Sequence, residues 1–175
     1  HCLRCFVYKF PGKPNARNYK TKEYAVGEHL ALAFPGYSWI CDKRIDGGCS
    51  RRRPDLFVDF GSHSIIVEVD ENRHESYDCI CENKRLMQLS QDMGHQPIVL
   101  IRFNPDKYDD CSSCWGINSL GICVVKKRKQ TDWESRLDHL VDVVRYWSEN
   151  KPDKMLHVRH LFFDHVYEEE DTDIV

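Results

Sequence analysis

Two apolar runs, Leu56-Phe57-Val58-Asp59-Phe60 and Ser64-Ile65-Ile66-Val67-Glu68-Val69-Asp70, are separated only by Gly61-Ser62-His63. β-branched and aromatic residues suit a pleated surface, and a short glycine-bearing link suits a tight reversal, so the stretch reads as a β-hairpin. Side chains alternate along a strand. Ser64, Ile66, Glu68 and Asp70 therefore share one face, and Ile65, Val67 and Val69 share the other. With Phe60 opposite Ser64, Asp55 falls beside Val69, between Glu68 and Asp70, and three carboxylates converge at one end of the hairpin.

The flanking segments alternate in type. Thr21 is placed to cap a helix carrying Glu23 in its first turn and Ala25, Val26, Leu30 and Ala33 on its inner side, ending near Pro35-Gly36. Ser38 to Ile45 reads as a strand, broken at Gly47-Gly48. Beyond the hairpin, Glu82 to Met93 suits a helix with Leu86, Leu89 and Met93 on one face. Gly94 ends it before the buried-type strand Ile98 to Phe103, and Asn104-Pro105-Asp106 turns the chain. From Tyr108 to Thr131 the composition shifts to Cys, Ser, Gly and Lys around Cys111, Cys114, Trp115 and the run Val124 to Lys129, an insertion or hairpin. Trp133, Leu137, Leu140, Val144 and Trp147 recur at helical spacing and mark a core-facing helix. Met155 to Phe163 is expected to be a last strand.

Helix, three strands, helix and strand, with a later helix and strand added, is an α/β layer arrangement in which ligands gather near strand ends. The chain has 175 residues, 41% of them hydrophobic, enough for one core. No run of apolar residues is long enough to span a membrane. The division expected is a cysteine-containing extension over 1–18, one domain over 19–165 with the insertion at about 108–131, and an acidic, mobile tail over 166–175. The opening His1-Cys2-Leu3-Arg4-Cys5 lacks a basic-then-apolar leader, so a fragment or processed soluble chain is expected. Nine cysteines, an odd count with several close pairs, point to a reducing compartment, nucleus or cytoplasm, with some thiols on zinc.

The net charge of -3 is unevenly spread. Lys43, Arg44, Arg51, Arg52 and Arg53 crowd the approach to Asp55, a pattern suited to phosphates, while Glu168, Glu169, Glu170, Asp171 and Asp173 close the chain. Burying neighbouring carboxylates is costly unless a cation neutralises them or a proton is shared. A hard divalent ion with oxygen ligands, Mg²⁺ or Mn²⁺, suits such a cluster.

Arg53-Pro54-Asp55, then twelve residues, then Glu68-Val69-Asp70-Glu71 and His74, resembles the active-site hairpin of PD-(D/E)XK nucleases, especially the branch similar to very-short-patch repair and homing-type nucleases. The resemblance covers roughly 21–103. It implies a restriction-endonuclease-like core and a metal-dependent DNA endonuclease that hydrolyses phosphodiesters with a metal-activated water. Asp55 and Glu68 match the Mg²⁺-binding positions, and Asp70 supports the ion or its waters. His74 matches a histidine beyond the second strand and is the expected general base, and Glu23 resembles a further acidic residue, with Glu28 the alternative. Lys43, Arg51, Arg52, Arg53 and Lys84 are the expected DNA contacts. Segments around Asn18 to Glu23, Gly48 to Asp55 and Ile101 to Asp106 also resemble proteins of large DNA viruses and their protist or algal hosts.

One departure matters: the family's third position is lysine, and here it is Asp70. His74 first, or Lys84 second, replaces that cation, or the chain is a catalytically inactive nuclease fold used as a DNA-binding or protein-interaction module. Cys41, Cys49, Cys79 and Cys81 are candidate structural zinc ligands, with Cys111 and Cys114 a competing pair and Cys2-x-x-Cys5 half a zinc knuckle.

Overall fold

A computed structural model describes residues 8–13, 18, 20–45, 47–50, 52–71 and 84–164, and the backbone of 79–83. The described elements are α1 (Thr21–Ala33), β1 (Ile40–Cys41), β2 (Leu56–Asp59), β3 (Ser64–Val69), α2 (Cys79–Asp92), β4 (Ile98–Phe103), β5 (Trp115–Ile117), β6 (Cys123–Val125), α3 (Gln130–Glu149) and β7 (Leu156–Leu161). Five strands form one mixed sheet in the order β1-β2-β3-β4-β7, and β5 pairs with β6 apart from it. The β1-β2-β3 meander is antiparallel, and β4 and β7 add parallel to β3. The fold is mixed α/β, with helices on both faces of the sheet.

The alternation of β3 and β4 divides the core. Val26 and Leu30 of α1 and Trp133, Leu137, Leu140, Val144 and Trp147 of α3 pack with Ile65, Val67, Val69, Val99, Ile101 and Phe103. On the other face Leu86 and Leu89 of α2 pack with Phe57, Ile66, Ile98 and Leu100. The helical spacing in α3 thus marks the residues that cover the sheet, as expected.

Four local expectations are corrected. Thr21 is the first helical residue and not the cap; the cap position is Lys20, left-handed at φ 55° and without a side-chain cap bond. Ala33 is exposed, as are Ala31 and Leu32, although helical spacing sets it on the same side as Val26 and Leu30. The strand expected over Ser38 to Ile45 narrows to two residues, since the chain leaves β2 at Asp42, whose φ is 45°. The hairpin register is also one residue tighter. Phe60 N donates to His63 O at 3.0 Å and Asp59 pairs with Ser64, so the reversal is Gly61-Ser62 alone. Gly61 sits at φ 76°, which costs a glycine little, and a two-residue turn matches the twist of the strands.

Candidate active site

The tighter register decides where Asp55 lies. Leu56 pairs with Val67, so the next position back places Asp55 across from Glu68 on the same face of the sheet. Asp55 is fastened there by its own side chain, whose Oδ2 accepts from Val69 N at 2.9 Å, and its carbonyl accepts from Asp42 N at 3.1 Å. Asp70, two residues beyond Glu68, shares that face, where β3 and β4 reach their C-terminal ends side by side. Glu68 and Asp70 are 8% and 4% exposed, too buried to be a solvated strand face.

Two arginines enter from neighbouring elements. Arg85 of α2 brings Nη2 to 2.5 Å from Glu68 Oε1, and Arg102 of β4 brings Nε to 2.6 Å from Asp70 Oδ2. Glu68, Asp70, Arg85 and Arg102, with Leu86, Leu89 and Leu100, line a cleft between α2 and the sheet. Arg102 is reached through register, since it pairs with Glu68 across β3 and β4. Sequence reasoning missed both arginines. Lys84, its choice on this helix, is exposed, and the neighbouring residue faces inward because successive helical side chains point about 100° apart.

A second ring of charge comes from the start of α1. Glu23 Oε1 receives Lys20 Nζ at 2.7 Å, and the same ammonium lies 3.3 Å from Asp42. Lys22 Nζ contacts Asp106 at 2.7 Å and Glu71 at 3.7 Å. Glu23, and not the exposed Glu28, faces the cluster: Asp55 is close enough to raise its pKa.

The cluster is under electrostatic tension. Burial pushes the Glu68 carboxyl up to about 8, and Asp55 and Asp70 add to the rise while Arg85 opposes it. Burial lifts Glu23 to about 7, with Asp55 and Asp42 raising it and Lys20 opposing. Asp55 and Glu71 are raised as well, again first by burial. Even beside a guanidinium, burial makes Glu68 resist ionisation.

The remaining expected residues divide. His74 and Arg51 lie outside the described residues, as do the side chains of Cys79 and Cys81 and the Cys2-x-x-Cys5 pair. Arg52 is turned onto α2, where Nε donates to Gln88 Oε1 at 2.9 Å, while Lys43 and Arg53 are exposed. The loop is held to α2 through Ser50 and Asp92, and Gly48 permits that contact: an added Cβ would stand 2.6 Å from the Asp92 carboxyl carbon. Cys41, Cys49 and Cys111 are exposed free thiols and Cys114 is buried. Among the described residues no group of three or more His, Cys, Asp or Glu is arranged to hold a metal.

A two-carboxylate site still suits Mg²⁺, which keeps several waters and takes one or two carboxylates plus substrate oxygens. Asp55 Oδ1 and Glu68 Oε2 both stay outside the hydrogen bonds formed among the described residues, so each carboxylate retains an oxygen for an ion. Compared with family models, with curated proteins and with solved structures, the chain gives no match.

Proposed function

We propose that this chain is a metal-dependent DNA endonuclease built on a PD-(D/E)XK core. The observation that carries the reading is the apposition of Asp55 and Glu68 across the β2–β3 hairpin, on a buried, carboxylate-rich sheet end. Asp55 and Glu68 would hold Mg²⁺ or Mn²⁺, which when bound supplies charge neutralisation and a more acidic water for attack on phosphorus. The order α1, meander, α2, β4 supports the core assignment.

The chain's own groups supply the rest. Glu23, with a pKa of about 7, suits proton exchange with a nearby water near neutral pH. Arg85, held on Glu68 before any phosphate arrives, would supply the positive charge that Asp70 cannot. His74 remains the proposed general base on the family resemblance, and Lys43, Arg51, Arg53 and Lys84 the proposed phosphate contacts. Structural zinc on Cys41, Cys49, Cys79 and Cys81 is a separate proposal.

A second reading has its own observation. Arg85 on Glu68 and Arg102 on Asp70 compensate two carboxylates internally, the arrangement expected of a nuclease fold retained as a binding module. Incubation with supercoiled plasmid, single-stranded DNA and RNA, with Mg²⁺, Mn²⁺ or chelator, decides between them. The enzyme reading expects metal-dependent DNA cleavage that Asp55→Ala and Glu68→Ala each abolish while circular dichroism is retained. DNA binding without cleavage under any metal replaces it with the module.

A further inference from the structure

The β5–β6 hairpin belongs to no edge of the main sheet, yet side chains from other elements pin it. Trp115 packs its ring 5.1 Å from Trp133, and the Asn18 side chain donates to Gly121 O at 2.9 Å and accepts from Cys123 N at 2.8 Å. Within the tip, Asn118 Oδ1 accepts from Leu120 N at 2.9 Å and Ile122 N at 3.0 Å. This ordered tip presents Ile117 and Leu120, 65% and 69% exposed.

The hairpin runs directly into Lys126-Lys127-Arg128-Lys129, at the start of α3. Cations there face the positive end of the helix dipole, so they do not serve the helix. Lys126 is tied to Ser113 O at 2.9 Å and Lys129 to Asp132 at 2.6 Å. Lys127 and Arg128 are exposed and take no ion pair among the described residues. Ser113, just before β5, donates from Oγ to Asp106 Oδ1 at 3.3 Å, and Asp106 holds Lys22 of α1, so the hairpin stands by the charged residues at the start of α1.

We propose that the hairpin and its basic neck form an arm that grips duplex DNA, Lys127 and Arg128 contacting phosphates and Ile117 and Leu120 entering a groove against the bases. Charge complementarity selects a polyanion. The exposed apolar tip beside two adjacent cations selects a duplex, because small apolar wedges next to phosphate contacts suit base steps. The proposal rests on DNA being the substrate.

Anisotropy of a labelled duplex with the full chain, in chelator and over a range of salt, tests it without cleavage. Replacing Lys127 and Arg128 by Ala should weaken binding by about tenfold and make the salt slope shallower by about 2. Leu120→Ser should weaken binding several-fold with the slope unchanged, and should lose the fluorescence change of a 2-aminopurine placed in the duplex. All three positions are exposed, and unchanged melting temperatures confirm intact folds. If wild type binds and both variants bind equally well, the arm is refuted while DNA remains the substrate. If wild type binds no DNA, both readings fall. If polyglutamate of equal charge competes as well as DNA and Leu120→Ser is silent, the surface belongs to an acidic protein and the proposal is overturned.

Discussion

The two faces of β3 differ although their residues alternate along one strand. Towards α1 and α3 the strand shows Ile65, Val67 and Val69, all within a continuous apolar core that takes in both tryptophans of α3. Towards α2 it begins alike, with Ile66 against Leu86 and Leu89, and then changes to Glu68 and Asp70 beside Arg85 and Arg102. Burial is nearly equal on the two sides; the chemistry is not. An apolar layer gains stability from every residue it buries, whereas buried charges roughly break even against their desolvation. The comparison assigns stability to the α1–α3 face and leaves the C-terminal end of the α2 face as the place for the proposed chemistry.

The largest effect should come from the apolar side. Trp133→Ala empties a site bounded by Phe103 and Trp115. It should cost about 3–5 kcal/mol by urea denaturation, with metal-dependent cleavage per folded molecule unchanged. A large loss of cleavage with stability intact would erase the distinction between the faces.

Arg102→Ala removes the guanidinium 2.6 Å from Asp70, whose side chain is 6% exposed. Breaking a buried pair is strongly destabilising, and some solvent access lowers the expected cost to about 2–3 kcal/mol. A loss under about 0.5 kcal/mol would make the α2 face an ordinary solvated surface.

The pH response sharpens the comparison next. Glu68 is raised from 4.5 to about 8 and Glu23 from 4.5 to about 7, so the folded state binds more protons than the unfolded one between these values. Their contribution is complete below about 4.5 and is lost as pH rises through about 7 to 8. The melting temperature should therefore fall over that window, and Glu68→Gln should flatten the fall while abolishing cleavage. Added Mg²⁺ should restore more stability at pH 8 than at pH 5, since a cation favours the ionised carboxylates. A wild-type melting curve that is flat with pH, or Mg²⁺ stabilisation equal at both ends, would contradict the strained cluster.

The smallest change in stability should come from replacing Arg51, Arg52 and Arg53 together by Ala. Unfolding should shift by no more than about 1 kcal/mol, chiefly from the Arg52–Gln88 bond. DNA affinity should nevertheless fall for all sequences alike, with a shallower salt slope. A loss confined to one sequence would turn Arg51 and Arg53 from phosphate contacts into base readers.

The amino-acid sequence by itself determined the order of elements, the alternation that separates Glu68 and Asp70 from Val67 and Val69, and the helical stripe of α3. Those are local properties: a period of two or of 3.6 residues places side chains on faces whatever the chain later meets. It also brought Asp55 and Glu68 to the same hairpin end, because neighbouring strands joined by a short link pair with each other. The residue-level register was not legible, since a link of two or three residues reads much alike until Phe60 and His63 pair. Only the tertiary structure decided which cations reach the cluster. Arg85 and Arg102 stand 17 and 32 residues from the carboxylates they meet, and Lys22 stands 84 from Asp106. Such contacts depend on the rotation of α2 about its axis, the parallel register of β4 and the position of α1 against the sheet, each set by packing among distant segments at once.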